Sequence, residues 1–184
     1  MHAGNRLDQA GRRVPRFPES ELARVAASIE AALQLLRPTT VVSAPAVGAD
    51  LIVLETAHRL GITLHVVVPV AVDAFVSASV ADHGASWIRR FEQVIALADA
   101  DERSQIEYLG LDDATDWWYP ANTALILSTK SLAARSLTSV VALTVRPVVT
   151  DGTPSVTDDL AELAARQGWP VLTVDPRPLP RSLH

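Results

Sequence analysis

The stretch from Val41 to Val70, VVSAPAVGADLIVLETAHRLGITLHVVVPV, restricts the fold more than any other part of the chain. An apolar β-branched run ends in small residues, Gly48 opens a helical pattern that continues to Leu60 and stops at Gly61, and a second apolar run, ITLHVVVPV, follows. Short runs of this kind suit strands buried on both faces of a parallel sheet. Parallel neighbours need a crossover connection, so strand, helix and strand here form one β-α-β unit.

The alternation continues on both sides. Leu22, Val25, Ala26, Ile29, Leu33 and Leu36 recur at helical spacing in ESELARVAASIEAALQLL, and Pro38 ends that run. Downstream, DAFVSASV makes a short helix, SWIRRFEQVIALADA puts Trp87, Phe91, Val94 and Ile95 on one face, and SQIEYLGL is a strand. The polar loop DDATDWWYP leads into a helix from about Ala121 to Ala134. Strand SVVALTV, loop RPVVTDGTPSV, helix TDDLAELAARQG and strand WPVLTVDP complete the series, with Thr157 as N-cap and Gly168 as stop of the last helix. The expected fold class is α/β, a mostly parallel sheet with helices on both faces. Length suits one domain, residues 1–176, followed by a loosely ordered tail, 177–184.

Charge and residue usage exclude several function classes. With no cysteine there is no disulfide framework and no thiolate metal site. The histidines, His2, His58, His65, His83 and His184, include no pair spaced for one helix face, so no metal is expected. A net charge of -5 disfavours a nucleic-acid backbone as partner. The local exception, Arg12, Arg13 and Arg16, reads equally as a solvated basic loop or as an anion contact. No run reaches the roughly 18 apolar residues of a membrane span, and the N-terminus has no signal-peptide core. The expectation is a soluble, cytoplasmic protein.

Ligands of parallel α/β sheets bind beyond the carboxyl ends of the strands. Three loops fall there. Around Gly48, Ala49 and Asp50, the turn either lets a phosphate reach the N–H groups of a helix start or lets helix and strand pack closely. Asp50 would repel an anion placed directly on it, so a sugar hydroxyl or base edge suits it better. Asp151-Gly152-Thr153 is either a ligand turn or an ordinary one. In WWYPANTAL, Tyr119 and Asn122 share one helix side and offer an aromatic face and an amide, as a nucleobase requires, while Trp117, Trp118 and Tyr119 also suit the edge of a core.

Together these segments resemble the SLOG superfamily, the Rossmann-like group that includes DNA-processing protein A and the Lonely Guy cytokinin-activating enzymes. SAPAVGADLIVLETAHRLG is similar to its Ser/Gly-small-x-x-Gly-x-Asp segment and following Ala-His helix, DGT to its Gly-Gly-Thr turn, and YPAN to its Tyr-x-x-Asn. GNRLDQAGRRVPRFPESE, VGADLIVLETAHRLGITLHVVVPV, DAFVSASV and WIRRFEQVIALA resemble more narrowly the branch found beside cyclase, caspase-like and TIR modules in bacterial signalling and conflict systems. The similarity runs from about Gly4 to Asp175.

The resemblance implies a three-layer Rossmann-like domain binding a nucleotide or nucleotide-derived ligand through Gly4, Arg6, Arg16, Ser43, Gly48, Ala49, Asp50, Glu55, Tyr119, Asn122, Gly152 and Thr153. It implies no cofactor, a separate effector protein as partner, and a homo-oligomer as one arrangement. Asn5 stands where the branch has His, and three residues precede Gly4, leaving almost no first strand. The acidic loop of the Lonely Guy enzymes is not reproduced in VVTDGTPSVTDD, so the expectation is a non-catalytic sensor. The alternatives are an N-glycosidic hydrolase or transferase, for which Glu55 and Asp50 are the only acids available, and an interaction module with a vestigial pocket.

Overall fold

The computed structural model describes residues 1–113, 116–148 and 155–178. Its strands are β1 (His2–Gly4), β2 (Thr40–Ser43), β3 (Thr63–Val68), β4 (Gln105–Tyr108), β5 (Ala142–Val145) and β6 (Val171–Val174). The helices are α1 (Leu22–Leu36), α2 (Ala49–Arg59), α3 (Val72–Ser79), α4 (Ala85–Ala100), α5 (Trp118–Ser136) and α6 (Val156–Arg166). All recorded ladders are parallel, in the orders β4-β3-β2 and β1-β5-β6. β1 lies beside β2 without a ladder between them, so the layer reads β4-β3-β2-β1-β5-β6 and its order reverses at β1 and β5.

The strands feed two different helical layers. On β2 and β3, Val41, Leu64, Val66 and Val68 join the main core with α1, α2 and α4, while Val42 and Val67 point the other way, against Leu125 of α5 and Leu160 of α6. That alternation is the period of two expected of a strand. The result is the three-layer Rossmann-like α/β fold expected from the sequence.

Helix α2 runs through the middle of this packing, buried from Ala49 to Leu54 and again at Thr56 and Ala57. Its start is closed by the segment that follows β1. The Ala49 N–H donates to Asn5 O at 3.3 Å, and Gly4 N–H donates to Asp50 Oδ1 at 2.9 Å. Gly48 sits at φ 95°, and a Cβ there would lie 2.8 Å from the Leu7 nitrogen and 2.9 Å from the Asn5 oxygen. The turn therefore makes room for the backbone of the segment that follows β1. At the other end Gly61, at φ 73°, stops the helix as expected.

The first strand is as short as the three residues before Gly4 imply, yet it pairs with β5 in the centre of the layer. Two local expectations need correction. The N-cap of α6 is Ser155, whose hydroxyl accepts from Asp158 N–H while Asp158 accepts from Ser155 N–H, a reciprocal capping box that leaves Thr157 two residues inside the helix. Helix α5 begins at Trp118, and Pro120 occupies its first turn, where a missing N–H costs nothing.

Gly48→Ala is expected to cost about 1–3 kcal/mol of stability, because it adds a backbone collision to an unfavourable φ. Gly61→Ala carries the φ penalty alone, since nothing lies within 4 Å of its added Cβ. Urea denaturation of the two variants checks this; equal midpoints would remove the collision from the account.

Candidate functional site

A cavity of about 330 Å³ opens at the carboxyl ends of the strands. Its walls include Gly4 and Asn5 after β1, Ala44 after β2, Pro69 after β3, and Ser155 to Thr157 at the start of α6. This is the crevice where the strand order reverses, the usual position of a ligand in such sheets.

The loop from Asn5 to Pro18 supplies the basic wall. Asp8 organises it: its carboxylate accepts from Arg16 N–H at 2.9 Å and Phe17 N–H at 3.0 Å, and its own N–H donates to Phe17 O at 2.9 Å. Phe17 is fully buried and anchors the loop in the core. The closed loop carries Arg6, Arg12 and Arg16 to the cavity, with Arg12 held 3.4 Å from Asp8 and donating to Val14 O.

Behind this wall, His2 Nδ1 lies 3.2 Å from Asp50 Oδ1 and 3.3 Å from Ser43 Oγ. Burial pushes the Asp50 carboxyl above the ordinary carboxylate range, against the opposing pull of His2 and the Gly4 N–H. Serine and aspartate meet the same ring nitrogen, and the Ser43 hydroxyl donates to Ala44 O at 3.0 Å. A nucleophile relay needs the serine on the imidazole nitrogen opposite the carboxylate, so these three residues form a structural cluster.

The start of α5 supplies the aromatic wall. Trp117 and Trp118 stack with centroids 3.8 Å apart, Trp117 lies 5.9 Å from Phe75, and all three rings line the cavity. Asn122 lines it as well. Its amide nitrogen donates to Val156 O at 2.7 Å and Asp159 Oδ2 at 2.9 Å, so it ties α5 to the start of α6.

Beside the basic loop, Asp82 in the turn between α3 and α4 receives Arg6 Nη2, Gln9 Nε2 at 2.8 Å and His83 Nδ1 at 2.9 Å. Burial raises its pKa, but the bonds from Gln9 and His83 and the charges of Arg6 and His83 outweigh that and hold it at about 2. Arg6, Gln9 and His83 all line the cavity.

Of the residues singled out in the sequence, Gly4, Arg6, Arg16, Asp50 and Asn122 meet at the cavity. Ser43 is buried behind it, and Gly48 and Ala49 face the β1 segment. Glu55 is turned to α4, where Arg90 Nε holds it at 2.7 Å, so it is not available to a ligand in the cavity. Tyr119, 43% exposed, does not line the cavity; the neighbouring tryptophans take the place expected for it. Gly152 and Thr153 lie outside the described residues. Sequence reasoning missed His2, Asp8, Gln9 and His83, whose placement depends on long-range contacts. Trp117 and Trp118 close the edge of the core, as one reading of that segment expects, and they also line the cavity.

Among the described residues no group of three or more His, Asp or Glu side chains is placed to hold a metal ion, and no helix is long and apolar enough to cross a membrane. Compared with known proteins, the chain matches no family model, and neither the curated proteins nor the solved structures yield a match.

Two expected outcomes follow from these contacts. Asn122→Ala should cost about 1–3 kcal/mol of stability, since it leaves Val156 O and Asp159 without their buried donor. An unchanged urea midpoint would remove this structural role from Asn122. For Asp82 the folded pKa is depressed, so its contribution is complete above the ordinary value of 3.8 and is lost as pH falls toward about 2. Asp82→Asn should therefore be less stable near neutrality and show a shallower loss of stability across that acid range. Parallel pH profiles for the two proteins would contradict the assignment.

Proposed function

We propose that the cavity binds a nucleotide or nucleotide-derived small molecule and that the domain acts as a non-catalytic ligand sensor of the SLOG kind. The observation that carries this reading is the pairing of walls. Stacked indoles from the start of α5 and three arginines from the β1–α1 loop line one cavity at the point where the strand order reverses. A π-face suits any base, and guanidinium groups suit a phosphoryl group. The side chains of Asp8 and Asp50 temper the positive charge, which favours a ligand of low charge over a polyphosphate.

The sensor reading over the enzymatic one is supported by the engagement of the acids. Glu55 is paired with Arg90 away from the cavity, and Asp50 is paired with His2 and Gly4. A sensor of this kind passes its signal to a separate effector protein in the same compartment, which we place in the cytoplasm.

Calorimetric titration with a panel of nucleosides and nucleotides tests the reading. At least one should bind, and Trp118→Ala should weaken it by about 1–3 kcal/mol, the worth of one stacked base. Release of free base or ribose 5-phosphate during incubation would favour the hydrolase instead. Absence of binding across the panel would leave an interaction module.

A further inference from the structure

Beside the cavity, an acidic side chain occupies what we infer to be the position of the ligand's anion. We propose that Arg6, Gln9 and His83, together with Asn5, form a subsite for one phosphoryl group, and that Asp82 is an internal competitor that this group displaces. The inference rests on the nucleotide reading for the rest of the ligand, but the subsite itself stands on separate observations.

The first observation is the donor set around Asp82. A guanidinium, a carboxamide and an imidazole, from two segments of chain, converge on one carboxylate. Donors of mixed type gathered on an oxyanion from several sides are the ordinary make-up of an anion site. Their owners, Arg6, Gln9 and His83, line the cavity, whereas Asp82 itself is exposed and is not part of its wall.

The second observation is a group of unpartnered nitrogens in that wall. Arg6 Nε and Asn5 Nδ2 are buried donors with no hydrogen-bond partner, and His83 Nε2 is a third unpartnered nitrogen, a donor when the ring is protonated. Buried polar atoms without partners are rare in folded proteins, and here three fall in one wall. Arg6 and His83 each hold Asp82 through one nitrogen and keep a second unused. A carboxylate has two oxygens to offer, while a phosphoryl group has three and can satisfy more of this set. Because the unused nitrogens are sealed, the loop at Asn5 to Gln9 has to part from the α3–α4 turn as the anion arrives, and breaking the contacts to Asp82 is that step.

The charges facing the subsite leave a small positive surplus. Arg6, Arg12 and Arg16 face Asp8 and Asp82, a surplus of one, with His83 beside them and Asp50 paired to His2 behind. An anion that displaces Asp82 meets that surplus if it carries one or two negative charges. This points to a single phosphate ester.

The test is titration of wild type, Asp82→Ala and Arg6→Gln with inorganic phosphate, adenosine 5′-monophosphate and adenosine. Removing the competitor should tighten phosphate and the monophosphate about fivefold, the upper range of an exposed ion pair. Removing the guanidinium should weaken both about tenfold or more. Adenosine, which lacks the phosphoryl group, should be indifferent to either change. A folded Asp82→Ala protein that binds phosphate no more tightly than wild type overturns the subsite, as does failure of phosphate to bind any of the three proteins. If Asp82→Ala does not fold, carboxyl NMR of the wild type decides. The Asp82 titration near pH 2 should move up toward the ordinary aspartate range at saturating phosphate, and an unmoved titration overturns the proposal. The two readings separate cleanly: adenosine binding without any effect of Asp82 sinks the subsite alone, whereas the expected phosphate response with no nucleotide bound better than phosphate sinks the nucleotide reading alone.

Discussion

The bond from Gly4 N–H to the Asp50 carboxylate is the contact on which the rest of the site depends. β1 has a ladder with β5 but none with β2, so a strand of three residues in the middle of the layer is paired along one side only. Asp50 supplies the missing acceptor from the first turn of α2, and the Asn5 carbonyl closes the same turn in return. Both glycines follow from that exchange. A side chain at Gly4 would run into Ala49, and one at Gly48 would run into Asn5 and Leu7. A buried carboxylate is costly unless its bonds are made. Here the Gly4 N–H and His2 meet that demand, and the same bonds fix where the chain leaves β1.

From that exit the basic wall is built by local bonding. The loop after Gly4 has no secondary structure of its own until the turn at Glu19–Glu21, so its shape comes from Asp8 bonding the backbone of Arg16 and Phe17, and from Phe17 entering the core. The arginines are carried on irregular chain rather than on a helix or strand. Their convergence on one cavity is a property of a loop tied at two points, at Asp8 from within and at Asp82 from the neighbouring turn.

The parts legible in the sequence were those carried by periodicity. The β-α-β unit from Val41 to Val70, the α1 and α4 faces and the final helix and strand all announce themselves through apolar spacing, and the three-layer class follows from their alternation. β1 was not legible, because three residues are too few to show a period, and its central place depends on pairing with β5 some 140 residues later. The site was half legible for a related reason. Gly4, Arg6, Arg16, Asp50 and Asn122 were named from motif positions and do reach the cavity. A motif does not say, however, whether an amide faces a ligand or a neighbouring helix. Asn122 does the structural work through its nitrogen, and the tryptophans take the wall expected of Tyr119 because the helix starts at Trp118, three residues before the expected Ala121.

That division bears on how the wall around Asp82 ought to be valued. A bond network whose only purpose was stability would pair its donors and acceptors, since each buried donor left over costs as much as a good bond returns. The contacts on the α5 and α6 side come nearer to that rule: Asn122, Ser155 and Asp158 all have partners, with Arg146 Nε left over beside Asp158. The wall from Asn5 to His83 does not, keeping three nitrogens in excess while Asp82 holds the others. The two walls of one cavity are thus built on different terms, one largely paired, the other short of oxygen atoms. A ligand that brings oxygens to the unsaturated side and an apolar face to the stacked indoles would be oriented by that difference alone, before any single contact is considered.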